Sequence, residues 1–148
     1  MLPAQCKQRL AAAELILHAG DLSTVAVLDE LAALGPPVLA VAGNVDEPAL
    51  QARLPQQREI ELAGVRIAMI HDAGPAKGRL EALSARFPDA DAVIFGHSHI
   101  PLSESRGGLQ IFNPGSPTDR RRQPHHTMGL AHIREGTVRF ELVTLPNP

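Results

Sequence analysis

Short apolar runs alternate with stretches of helical periodicity through the first two-thirds of the chain, the arrangement expected when parallel strands are joined by crossover helices. The pattern predicts a strand over residues 15–19, a helix over 23–34, a strand over 37–42 and a short helix near 47–53. A hairpin follows, EIEL at 59–62 and VRIAMI at 65–70, joined across Ala63-Gly64. A helix over 76–86 is entered after Pro75, and the run 92–95 reads as a compact buried strand. Past residue 100 the pattern changes. Segments 102–105 and 109–112 flank Gly107-Gly108, and 127–133 and 137–145 flank Glu135-Gly136, so both pairs read as antiparallel hairpins. No repeat or linker divides the chain, so one domain over residues 1–148 is expected, α/β in its first two-thirds and β-rich at its end, with a loose tail at Pro146-Asn147-Pro148.

Composition narrows the function classes. A chain of 148 residues suits one domain that removes about two-thirds of its unfolded surface from water. The 44% hydrophobic content includes four Phe and neither Trp nor Tyr, so the core must be aliphatic. A formal charge of −2 gives no domain-scale attraction for nucleic acid or a membrane surface. No apolar run approaches the roughly 18–20 residues needed to span a bilayer, and the stretch from Leu10 to Leu17 carries Glu14 and lacks the charged leader and cleavage site of a signal peptide. The single cysteine, Cys6, reads as an incidental thiol, and a reducing, cytoplasmic setting is expected.

The candidate chemistry lies where strands end. ILHAGD closes on Asp21, VLAVAGN on Asn44, IAMIH on His71 and AVIFGHSH on His97 and His99. In open α/β sheets ligands bind beyond the carboxyl ends of the strands, so residues distant in sequence converge there. Gly20, Gly43 and Gly96 precede three of these positions, where a chain must turn sharply close to a site. Taken singly, each motif is an ordinary turn or a packed histidine. Taken in order, one carboxylate, one amide and several imidazoles form a mixed oxygen and nitrogen set suited to manganese, iron or zinc rather than calcium or magnesium alone.

Gly20-Asp21, Gly43-Asn44-Val45-Asp46, His71, Gly96-His97-Ser98-His99 and Asn113-Pro114-Gly115-Ser116 together resemble the successive signatures of calcineurin-like metallophosphoesterases, most closely the small bacterial and archaeal YfcE-like phosphodiesterase branch. The resemblance runs from about residue 10 to the end. It implies an α/β fold, a metallophosphoesterase-type β-sandwich flanked by helices in four layers (α/β/β/α). It further implies two divalent metal ions, Mn²⁺ foremost with Fe, Zn²⁺ or Ni²⁺ as alternatives, and hydrolysis of small phosphodiesters by attack of a metal-bound hydroxide. Asp21 would bridge the metals, Asn44, His71 and His97 would complete one shell, and His99 would bind the other ion.

The sequence departs from that family in two places. No Asp occurs before Asp21, so the Asp-x-His motif and its strand are absent from these residues. The chain is therefore expected to be an N-terminally shortened form, with its first strand missing, a weak first metal site and self-association as a reasonable way to cover the gap. Val45 stands where many relatives carry an acid histidine, which predicts a preference for activated diesters. Asp46 and His18 are candidates for orienting ligands, with helix capping and strand packing as their respective alternatives. Arg120 and Arg121 are candidates for pairing with substrate phosphate, against the plain reading of Arg120-Arg121-Arg122 as a solvated loop. Asp72 reads as a loop or cap residue, and His125 and His126 as loop residues. The alternative function is a catalytically impaired, Vps29-like protein-interaction scaffold on the same fold.

Overall fold

The computed structural model describes residues 2–146. In chain order the elements are α1 (Ala4–Ala11), β1 (Ile16–His18), α2 (Val25–Ala32), β2 (Val38–Ala40), α3 (Pro48–Arg53), β3 (Gln57–Leu62), β4 (Val65–Ile70), α4 (Arg79–Arg86), β5 (Ala92–Ile94), β6 (Leu102–Arg106), β7 (Leu109–Asn113), β8 (His126–Arg134) and β9 (Thr137–Leu145). Among the described residues no helix is long and apolar enough to cross a membrane.

Local chemistry explains most boundaries. The N-terminus of α2 is capped twice, by Thr24 Oγ1 accepting from Val27 N at 3.4 Å and by Glu47 Oε1 accepting from Val25 N at 2.9 Å. Two of its orphan donors are thereby satisfied. Pro48 opens α3, where a missing N–H costs nothing. The turns at 63–64, 107–108 and 135–136 have positive φ at both central residues, the twist that matches two flanking strands in a tight hairpin.

Three expectations are corrected. α4 begins at Arg79 rather than residue 76, because the left-handed Gly78 (φ 73°) directly precedes its first turn. α1 was not expected: only Cys6 and Leu10, four residues apart, mark its apolar side, which packs on Met128, Val143 and Leu145. His126 opens β8 instead of lying in a loop. In the tail, Asn147 and Pro148 lie outside the described residues.

The strands form a five-stranded mixed sheet, β3-β4-β5-β7-β6, and two pairs, parallel β1-β2 and antiparallel β8-β9. Alternation divides the central sheet into two faces. Ala68, Ile70, Val93, Phe95 and Ile111 meet Leu83 of α4 and Phe87 just after it on one side. Ile67, Met69, Ala92 and Ile94 meet Leu17 and Val41 of the β1-β2 layer and Val138 and Phe140 of β9 on the other. Beyond that layer Leu22, Leu31, Ala40 and Leu50 pack with α2 and α3. The result is the anticipated α/β/β/α sandwich.

Among the described residues β1 pairs with β2 alone. The far edge of β2 is closed by Arg58, whose Nε donates to the Ala40 carbonyl at 2.7 Å. Because β1 runs parallel to β2, and β4 to β5, each pair delivers two chain exits at the same end.

Candidate metal centre

Two turns meet at that end. Gly43 lies so close to the first turn that a Cβ on it would fall 2.2 Å from both Asp21 N and Asp21 Oδ1. A Cβ on Gly20, whose φ is 102°, would lie 2.5 Å from His71 Nδ1. Backbone therefore fills the space that side chains would need. Asp21 itself has φ 62°, and His97 and His99 have φ 68° and 59°. Non-glycine residues held in the left-handed region store strain and concentrate at working sites.

Four donor atoms converge where these turns meet. His71 Nε2 lies 2.8 Å from Asn44 Oδ1, 3.2 Å from Asp21 Oδ2 and 3.3 Å from His97 Nδ1. His97 Nδ1 is also 3.2 Å from Asn44 Oδ1. The other His71 nitrogen, Nδ1, sits 2.7 Å from the Ala19 carbonyl. A carbonyl only accepts, so Nδ1 bears the hydrogen of that bond and Nε2 is the ring nitrogen that faces the carboxylate and the amide oxygen. Val45 N donates to Asp21 Oδ1 at 3.0 Å, which leaves Oδ2 to face inward. One carboxylate, one amide oxygen and two ring nitrogens at one point make a mixed oxygen and nitrogen set that fits a divalent ion. Asp21, His71 and His97 are, among the described residues, the one group of three such side chains whose ligand atoms lie within 4.8 Å of one another.

His99 is not drawn into this cluster. Its Nδ1 donates to the Asp119 carbonyl at 2.6 Å, and Nε2 is the ring nitrogen that bond leaves unengaged. Ser116 Oγ holds that loop in place by accepting from Thr118 N and Asp119 N at 3.2 and 3.0 Å. Asn113 is fully buried, and its Nδ2 donates to the Gly96 carbonyl at 3.1 Å and to Ser98 Oγ at 3.3 Å. The Asn113-Pro114-Gly115-Ser116 turn thus braces the strained segment that presents His97 and His99.

The remaining candidates are resolved by their partners. Asp46 does not cap α3: its carboxylate accepts from Ser23 N at 2.8 Å and Gly43 N at 2.7 Å. Asp72 Oδ1 closes its own loop on Gly74 N at 2.9 Å, and its Oδ2 stands 3.9 Å from His97 Nε2. Arg120 is turned into its own loop, donating to the Gln123 carbonyl at 2.7 Å, whereas Arg121 Nη1 reaches the Ser98 carbonyl at 3.5 Å. Arg120 thus differs in posture from Arg121. Burial pushes the Cys6 thiol up to about 11, so it stays protonated and unreactive. The Ala19 carbonyl and the Asp119 carbonyl were missed, because a main-chain partner leaves no trace in side-chain identity.

His18 Nδ1 accepts from Gly20 N at 3.1 Å. Desolvation holds its pKa down at about 4, against the opposing pull of Asp46 and Asp21. The unfolded chain binds this proton below about pH 6.5 while the folded chain does not until about pH 4. His18 therefore favours the fold fully above pH 6.5, and that advantage, up to about 3 kcal/mol, disappears as pH falls through this window. Denaturant titrations of the metal-free protein at pH 7.5 and 4.5 should show the loss. A His18→Asn variant, whose amide oxygen can accept the Gly20 hydrogen bond, should show a smaller one.

The model of the calcineurin-like phosphoesterase superfamily domain matches residues 1–136. A probable metallophosphoesterase of Methanothermobacter thermautotrophicus is 37% identical over 107 residues, covering 71% of this chain and 61% of that protein. The phosphodiesterase YfcE of Escherichia coli K12 is 32% identical over 96 residues, covering 61% of this chain and 50% of its own length. The chain thus spans between half and about three-fifths of these two curated relatives. Among solved structures, wild-type Vps29 of Entamoeba histolytica complexed with Zn²⁺ superposes with a TM-score of 0.78 at 25% identity, over 97% of this chain and 90% of the other.

Proposed function

Because this chain belongs to the calcineurin-like phosphoesterase superfamily, we propose that it is a metal-dependent phosphodiesterase acting on small diesters, with Asp21, Asn44, His71 and His97 holding a divalent ion. The observation that carries this reading is the convergence of Asp21 Oδ2, Asn44 Oδ1 and His97 Nδ1 within 3.3 Å of His71 Nε2. A divalent ion bound there would supply water activation and charge neutralisation on the phosphoryl oxygens. Asp21 contributes the one negative charge of the set. His71 is aimed by the Ala19 carbonyl, and Asn44 and His97 close the other sides. His99 Nε2, the ring nitrogen not engaged by the Asp119 carbonyl, is the atom we assign to a further ion. YfcE is named a phosphodiesterase, and it is the relative that supports this activity class.

No acid side chain is at hand at Val45, which is 56% exposed beside the cluster, so diesters with good leaving groups are the preferred substrates. The test is hydrolysis of bis-p-nitrophenyl phosphate with added Mn²⁺, Zn²⁺ or Ni²⁺, Mn²⁺ being the ion we favour. Turnover that vanishes on chelation and returns with metal supports the proposal; rates indifferent to chelator overturn it. Arg121, leaning on the Ser98 carbonyl, is the side chain we assign to the substrate phosphate. Arg121→Ala should raise KM about tenfold with little change in kcat, and Arg120→Ala should leave both constants unchanged.

A second reading, a protein-interaction scaffold, is supported by the likeness to Vps29. It predicts metal binding without turnover in the same assay. We place the protein in the cytoplasm and expect self-association, to be read from its mass in solution.

A further inference from the structure

We propose that Asp46 is a positioning residue that stitches the Asp21 turn to the Asn44 turn and so sets the affinity of the centre for its metal before any metal arrives. The inference rests on the metal-centre reading above. Asp46 is only 4% exposed, and a carboxylate in that setting is costly unless its oxygens are occupied. Both oxygens are, each by an amide of a different turn: Oδ1 by Ser23 N at 2.8 Å, Oδ2 by Gly43 N at 2.7 Å. Gly43 immediately precedes Asn44, and Ser23 lies two residues after Asp21. Asp46 is not among the side chains whose ligand atoms converge, so the role we assign to it is to hold other groups in place.

What it holds would otherwise relax. Asp21 and Ser23 both have positive φ, 62° and 74°, and such residues persist only where their surroundings over-determine them. Three further contacts run between the same two segments: Glu47 N donates to the Ser23 carbonyl at 2.9 Å, Val25 N to Glu47 Oε1 at 2.9 Å and Val45 N to Asp21 Oδ1 at 3.0 Å. Asp46 sits between these and reaches both turns with paired charge-assisted bonds. With the stitch in place the Asp21 and Asn44 donors face His71 without the reorganisation that a loose loop would require on binding metal.

Asp46→Asn tests this with little change of shape. The amide has one accepting oxygen, and its NH₂ opposes whichever backbone N–H it meets, so one stitch is lost. Calorimetry with Mn²⁺ should show affinity falling 10–100-fold relative to wild type. Hydrogen exchange on the metal-free protein should show the Ser23 and Gly43 amides losing protection. Leu83→Ala, at the buried face of α4 on the opposite side of the sheet, serves as a control: it should lower the melting temperature and leave Mn²⁺ affinity unchanged. Equal affinity in Asp46→Asn and wild type, or a loss in Asp46→Asn no greater than in Leu83→Ala, overturns the proposal. Wild-type protein that binds no Mn²⁺ overturns the metal-centre reading itself, and this inference with it.

Discussion

Gly43→Ala is expected to abolish metal-dependent diester hydrolysis, lowering it on the order of 100-fold or more, while the chain still folds. The added Cβ would lie 2.2 Å from Asp21 N, a backbone atom with no rotamer into which to retreat, and 2.2 Å from Asp21 Oδ1. Relief requires the two turns to separate, which draws Asp21 Oδ2 away from His71 Nε2 and Asn44 away from both. Overpacking of this kind costs about 1–3 kcal/mol, within the margin of an ordinary domain. Circular dichroism should therefore look native while calorimetry shows Mn²⁺ affinity lost. Gly43→Ala protein with wild-type affinity and turnover would show that the close approach of the two turns is incidental.

Asp21→Asn should remove turnover just as completely by a different route. The substitution keeps the size of the side chain and, through its amide oxygen, the acceptor for Val45 N, but discards the only negative charge among the four donors. A neutral set of one imidazole pair and two amides holds a divalent ion far more weakly, so a loss on the order of 10³-fold in rate at fixed metal is expected. Thermal denaturation separates this from unfolding. Metal at about 100 times its dissociation constant stabilises a binding-competent fold by about 2.7 kcal/mol, and Asp21→Asn should forfeit that metal-induced shift while its metal-free melting temperature stays near or above wild type. A metal-induced shift of wild-type size in the variant would remove Asp21 from the centre.

The architecture was legible because its signals are local. Apolar runs of the right length and two-residue turns rich in glycine each report on a few neighbouring residues, and β1 through β9 fall where those signals put them. Residues 4–11 carried no such signal: α1 shows only Cys6 and Leu10 on a polar background, and its place is set by the β8-β9 surface it covers. The centre was legible in its side chains for the same reason, since Asp21, Asn44, His71 and His97 each close an apolar run. Their converging distances were not. Those depend on which strands run parallel and on how near two turns can come, which no single stretch encodes. His99 looked like its neighbour His97 in sequence, yet the Asp119 carbonyl, twenty residues on, claims its Nδ1. The different partners of Arg120 and Arg121 are likewise invisible in a run of three identical residues.

The bond from His71 Nδ1 to the carbonyl of Ala19 makes the aim of that ring a property of strand registration rather than of residue choice. Any amino acid at position 19 brings the same oxygen, so point substitution there alters packing but not the tautomer. A one-residue insertion or deletion between Ile16 and Gly20 would carry the oxygen away from the ring. Attempts to re-tool this cluster for other ions are therefore free to exchange the surrounding side chains, provided the spacing of that short segment is left untouched.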